Sequence, residues 1–64
     1  MELHVNGHIM SIGQLGPDFI MLEDPTDHAP GAAEIAMSVD GQISRWSVYL
    51  VDGIASGQDK TRIE

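Results

Sequence analysis

The chain has 64 residues and no cysteine, and its ten acidic residues against three basic ones give a formal net charge of −7 at pH 7. A chain of this length forms one domain, residues 1–64. It buries only about 60% of the surface that the unfolded form exposes, so we expect marginal stability unless self-association supplements the core. The missing cysteines exclude disulfides and thiol catalysis. The scarcity of cationic side chains argues against binding to nucleic acid or to anionic membranes.

The first predicted element is a β-hairpin centred on Asn6-Gly7. Both residue types tolerate the positive φ that a two-residue type I′ turn requires, and alternating apolar residues flank the pair. In this register Val5 faces His8 and His4 faces Ile9, so the hairpin has two distinct faces. The inward face is predicted to contain Leu3, Val5, His8, Met10 and Ile12, and the outward face His4, Ile9 and Ser11.

The segment Phe19–Leu22 is apolar at every position. A continuous apolar run of this length predicts a strand that is covered on both faces, or one whose outer face meets a partner. Residues 23–31 contain two prolines and predict an ordered loop. Within it, Asp24, Asp27 and His28 suggest a weak metal site. Aspartates in loops commonly accept hydrogen bonds from neighbouring backbone instead, and the ligand set falls short of a metal site, so we expect no metal or other cofactor.

Residues 32–39 admit two interpretations. Their alanines, glutamate and methionine favour a helix, whereas their apolar residues at every second position favour a strand that leads directly into Asp40-Gly41. A two-residue turn at Asp40-Gly41 connects two strands, and residues 32–39 can be the first of them only if they form a strand. We therefore favour a second hairpin in which Ile35 faces Trp46. Trp46 is then a core anchor, and its replacement by Ala should cost about 3–5 kcal/mol. The inward face of this hairpin is predicted to contain Ala33, Ile35, Met37, Val39, Trp46, Val48 and Leu50.

The last segment, residues 54–64, is either a loose tail or an edge strand at positions 60–63. The pattern as a whole predicts an all-β fold, a small antiparallel sheet of five or six short strands built from two β-hairpins. A meander, an open barrel and a two-layer sheet all satisfy this pattern.

A candidate binding surface follows from the outward positions of the two hairpins. Arg45 is the only cation in residues 1–59, and Ile43 and Tyr49 share its face of one strand. Arginine and tyrosine are enriched in binding hot spots, although Arg45 is also placed to form a solvated pair with Glu34 that is worth well under about 1 kcal/mol. The predicted interface consists of Ile43, Arg45, Tyr49, His4 and Ile9, with Ile20 or Leu22 as a further contributor.

The sequence contains no catalytic motif, and a domain of this size has little room for a ligand pocket, so we expect no enzymatic activity. We expect a non-catalytic protein-interaction or assembly module that self-associates through one sheet face or binds another protein. The alternative is an acidic inhibitor that mimics nucleic acid and binds a basic partner surface. The N-terminal residues resemble neither a signal peptide nor a membrane span, which predicts a cytoplasmic protein.

Overall fold

The computed structural model describes all 64 residues and contains six strands and no helix, hence none that could cross a membrane. All neighbouring strands pair antiparallel in one sheet of order β5-β4-β1-β2-β3-β6, which is not closed into a barrel. The predicted fold class is therefore confirmed. The order departs from a simple meander because β4 pairs with β1. The strands are β1 (Glu2–Val5), β2 (His8–Leu15), β3 (Phe19–Leu22), β4 (Gly31–Val39), β5 (Gln42–Leu50) and β6 (Lys60–Arg62).

Both predicted hairpin turns are present with the expected backbone geometry. Asn6 and Asp40 have φ of 50° and 51°, and the glycines that follow them have φ of 79° and 81°. These values are those of type I′ turns, in which both central residues have positive φ. The predicted registers are also correct, since Val5 faces His8 in the first hairpin and Ile35 faces Trp46 in the second. Residues 32–39 are a strand, as favoured.

The two hairpins join through β1 and β4, where Leu3 faces Ile35 and Glu2 faces Ala36. In β2 the register with β3 shifts between Ile12 and Gln14. Such a bulge bends a strand and increases its local twist. The sheet therefore curls at β2, so that its inner face surrounds the core.

The last residues of the chain return to the other end of the sheet. Tyr49 and Glu64 exchange both backbone hydrogen bonds, with N···O distances of 2.8 and 2.9 Å, and Leu50 forms a bridge with Ile63. The loop of residues 23–30 is held in a similar way, because His28 and Ile54 exchange bonds of 2.9 and 2.8 Å. Residues 54–64 are consequently ordered, with an edge strand at Lys60–Arg62.

The core lies on the inner face of the curled sheet, and β1 to β5 all supply apolar side chains to it. β6 contributes the buried Thr61, which faces Ile20, and is followed directly by the buried Ile63. Ile20 and Leu22 both point into this core, so the prediction that one of them would face outward is wrong. The outer side of β3 is partly covered by Lys60, whose Nζ lies 4.5 Å from the Phe19 ring centroid. The core cluster comprises Leu3, Val5, Met10, Ile12, Ile20, Leu22, Ala33, Ile35, Val48, Leu50, Ile54 and Ile63.

The inward sets predicted from alternation are correct near the core and wrong beyond it. Trp46 is 37% exposed, Val39 is exposed and Met37 is half-buried, so Trp46 is not a core anchor. Met37 and Val39 lie beyond β1, which has four residues and reaches β4 only as far as Ala36. Trp46 lies on the edge strand β5, which has no neighbouring strand on its other side at this level. His8 is also exposed, although Val5, which faces it across the first turn, is buried.

Candidate protein-interaction surface

The distal part of the second hairpin extends past the core, and we call residues 37–47 the hairpin arm. Its strand β5 is exposed at all six positions from Gln42 to Ser47, and only then returns to alternating burial. A strand in a covered sheet buries every second residue, so six consecutive exposed residues mean that neither face of this strand is completely covered, although Trp46 is only 37% exposed. The arm is therefore a two-stranded ribbon that extends from the packed sheet and is only partly covered.

Apolar side chains lie on both faces of the hairpin arm. Ile43 is 64% exposed on the outer face, and Val39 and Trp46 are exposed on the inner face. Val39 and Trp46 are predicted in the core because they alternate with outward residues, but alternation identifies a face of a strand without showing what covers that face. The strands of the second hairpin are longer than β1, and this difference in length could have indicated that the end of the second hairpin extends past the core.

A shallow depression of about 320 Å³ lies on the outer face beside Ile43. Ala36 contributes to it and is buried although it points outward, which is unusual for this side of the sheet. Ile43 and Arg45 line the β5 side of the depression, and Glu2 lines the β1 side. The outer face of the arm is thus not flat. The apolar side chain of Ile43 lies beside a depression that is lined by the cation Arg45 and the carboxylate Glu2. The complete lining is Met1, Glu2, Ala36, Met37, Ser38, Ile43 and Arg45.

Arg45 forms the predicted pair with Glu34, at 3.8 Å between Nη1 and Oε1. Both side chains are about half exposed, so solvent screens the pair and its contribution to stability is well under about 1 kcal/mol. Arg45 is the only charged residue between Gly41 and Val51. It remains available to a partner, since its contact with Glu34 is long and weak.

The five predicted interface residues do not form one continuous patch. Ile43, Arg45 and Tyr49 share the outer face of β5, and Tyr49 is 50% exposed. His4 lies two strands away on β1, and Ile9 lies three strands away on β2, roughly 14 Å from β5 at the usual strand spacing. The charged and polar contacts lie at the facing sides of the two groups, where Arg45 pairs with Glu34 and His4 contacts Glu2 at 3.5 Å.

The outer edge of β5 offers unpaired backbone groups. Tyr49 directs its N–H and C=O away from β4 toward Glu64, and in an antiparallel strand this direction alternates with each residue. Ser47, Arg45 and Ile43 therefore direct their N–H and C=O groups toward the same open edge. The pairing with β4 runs through nine residue pairs without a register shift, so no bulge interrupts the edge.

The side chains considered for a metal site are not brought together. Asp27 Oδ1 accepts a hydrogen bond of 2.8 Å from the backbone N–H of Ser56, which lies in a distant segment and not in the neighbouring loop backbone that the sequence predicted. The His28 ring lies edge-on to that of His8, with centroids 5.3 Å apart. No group of three or more His, Asp or Glu side chains is arranged to hold a metal ion.

Three carboxylates lie beside basic side chains at separate places in the sheet. Glu34 contacts Arg45, Glu2 contacts His4, and Asp52 Oδ2 lies 3.4 Å from Arg62 Nη1. Glu23 and Asp24 line the largest depression, about 390 Å³, together with side chains of β2 and Thr26. Glu23 and Asp24 therefore make this depression acidic.

Comparison with known proteins gives no relative from which a function could be transferred. No protein-family model matches the chain, and no curated protein or solved structure has a significant similarity to it. Any function assigned to the hairpin arm is therefore a proposal that rests on the geometry described above.

Proposed function

We propose that this chain is a non-catalytic protein-interaction or assembly module that self-associates through the hairpin arm. The observation that carries the proposal is the run of six exposed residues in β5, which includes Ile43 and Trp46. A two-stranded ribbon with both faces in water is marginally stable by itself, and grouped exposed apolar side chains are typical of interaction sites. A partner that covers the arm would stabilise the ribbon and remove its apolar side chains from water.

The size and the charge distribution of the chain support the same proposal. A 64-residue chain has a small core, and association is one of the few ways to supplement it without disulfides or metals. The net charge of −7 opposes the approach of two copies. β5 itself adds little to this repulsion, because Arg45 is the only charge between Gly41 and Val51. Copies that meet along β5 therefore meet at a strand that contains no acidic residue.

The non-catalytic part of the proposal is supported by the shape of the surface. The three depressions measure about 390, 320 and 250 Å³, and all are broad and open to solvent. Sites for small substrates usually enclose most of the ligand surface and exclude water around the reacting groups. A flat edge with protruding apolar side chains suits a protein partner better.

The experiment that tests this proposal is sedimentation equilibrium over a wide concentration range on the wild type, Ile43→Ser and Ile9→Ser. The two isoleucines are equally exposed, at 64% and 62%, and both point outward, but only Ile43 lies on the arm. We expect the wild type to dimerise, Ile43→Ser to weaken the dimer and Ile9→Ser to leave it unchanged. A wild type that remains monomeric at the highest concentration, or two variants that behave alike, would contradict the proposal.

A further inference from the structure

We propose that two copies of the chain pair β5 against β5 in antiparallel orientation, about a two-fold axis that passes beside Ser44. This inference deepens the proposed function and rests on it, because it specifies how the hairpin arm self-associates. Three features of the edge favour this pairing: its open hydrogen-bonding groups, its limited length and the side chains that it would bring together.

The open groups are those of Ile43, Arg45 and Ser47, which point away from β4 by the alternation established at Tyr49. Edge strands that avoid pairing are usually short or interrupted by proline, bulges or several charges. The exposed part of β5 has no proline, no register shift and one charge. This edge therefore retains the features that permit strand addition.

The free length of the edge restricts the possible registers. At one end Tyr49 is occupied by Glu64, and at the other end the strand stops at the Asp40-Gly41 turn. If the two-fold axis passed beside Arg45 or Trp46, residues of the partner copy would lie opposite Tyr49 and collide with Glu64. An axis beside Ser44 places the partner's turn opposite Ser47 and Val48, immediately before Glu64. An axis nearer the turn would align fewer residues.

The register centred on Ser44 also produces compatible side-chain pairs. Ile43 of each copy faces the partner's Arg45 in a hydrogen-bonded pair, so the two guanidinium groups are not directly opposed. On the other face Ser44 meets the partner's Ser44, and Gln42 meets the partner's Trp46. Like charges directly opposite each other destabilise a sheet, and a register centred on Arg45 would create such a pair. The edge is thus self-complementary, which favours a second copy over an unrelated strand.

Cysteine cross-linking tests the register directly, because the chain has no cysteine of its own. In Ser44→Cys the two thiols would face each other across the axis in a non-hydrogen-bonded pair, where the Cα atoms are about 4.5 Å apart, a distance that permits a disulfide. In Ser47→Cys each thiol would lie opposite the partner's Gly41, so the thiols would be separated by six residues, or about 20 Å. Both serines are exposed positions of the same strand, which makes Ser47→Cys the matched control.

Under mild oxidation we expect Ser44→Cys to double its covalent mass and Ser47→Cys to remain a covalent monomer, while both associate as the wild type does in sedimentation. Self-association with equal cross-linking of the two variants, or faster cross-linking of Ser47→Cys, would overturn this pairing and leave the proposed self-association standing. A wild type that is monomeric at all concentrations would overturn both.

Discussion

Ile35 and Trp46 face each other across the β4–β5 ladder, yet Ile35 is completely buried and Trp46 is 37% exposed. The pair marks the boundary of the core. On the core side of it, Ala33 and Val48 are buried, whereas on the turn side Val39 is in water. Cross-strand neighbours in one hairpin thus have different environments, because Ile35 has a paired strand on both sides whereas Trp46 lies on the edge strand.

The first prediction concerns the stability of this boundary. Ile35→Ala should lower the free energy of unfolding by about 2–5 kcal/mol, because it leaves a cavity in the core. Trp46→Ala should lower it by only about 1–2 kcal/mol, since the indole is partly solvated in the native state. Urea denaturation followed by circular dichroism, at a concentration that keeps the chain monomeric, measures both values. A larger loss in Trp46→Ala than in Ile35→Ala would show that the indole is buried.

The second prediction concerns Gly53, which has φ of 70° and lies against the backbone of the loop that contains His28. A Cβ at this position would lie 2.2 Å from the carbonyl oxygen of His28, so Gly53→Ala must displace that loop. We expect a loss on the order of 3 kcal/mol or more, which combines backbone strain with a steric clash.

Gly7→Ala is the matched control for this substitution. Gly7 has a similar φ of 79°, but a Cβ there would meet no atom within 4 Å. Gly7→Ala should lower the free energy of unfolding by about 1–2 kcal/mol, which is the strain of the left-handed conformation alone. Thermal denaturation of the two variants separates strain from clash. Equal melting temperatures would mean that the loop at His28 moves aside without cost.

The third prediction separates association from stability at Arg45. Arg45→Glu adds a carboxylate next to Glu34 and removes the only cation of the hairpin arm, so we expect the dimer to dissociate at concentrations where the wild type is dimeric. Arg45→Gln removes the charge without reversing it and should weaken the dimer less. The monomer should lose well under about 1 kcal/mol in either case, because the Arg45–Glu34 pair is solvated. Sedimentation equilibrium and urea denaturation of the same samples provide the two measurements. Normal association of Arg45→Glu would argue against the arm as the contact.

The fourth prediction is an alternating pattern of amide hydrogen exchange along β5. In dilute monomer the amides of Ile43 and Arg45 should exchange rapidly, because they face the open edge, whereas that of Tyr49 should be protected by its 2.8 Å bond to Glu64. In concentrated samples the amides of Ile43 and Arg45 should become protected, since β5 of the partner would accept their hydrogen bonds. Exchange measured by NMR at two concentrations reveals this change. Protection that is the same at both concentrations would be inconsistent with edge pairing.

The turns and registers could be predicted from sequence because their causes are local. Asn6-Gly7 and Asp40-Gly41 specify type I′ turns, and a two-residue turn fixes which residues face each other along the whole hairpin. The interpretation of residues 32–39 as a strand followed from the same rule. The pairing of Arg45 with Glu34 was also predictable, since it depends only on the register of one hairpin.

The extent of the core could not be predicted, because it depends on how hairpins are arranged rather than on either hairpin alone. Alternation places Trp46 on the same face as Val48, but burial also requires neighbouring strands, and the edge of β5 is open at Trp46. The distance between the predicted interface residues on the two hairpins could not be predicted for a related reason. Strand order places β4 and β1 between Ile43 and Ile9, and no local pattern in the sequence encodes that order.

Trp46 is an intrinsic fluorescent probe of the hairpin arm. It is the only tryptophan, and it lies at the edge of the core on the element that we expect to contact a partner. Its emission spectrum should therefore respond to the surroundings of β5 while the core stays intact. A fluorescence change upon dilution would then record separation of two molecules, and an experimenter who took it for unfolding would underestimate how stable the domain is.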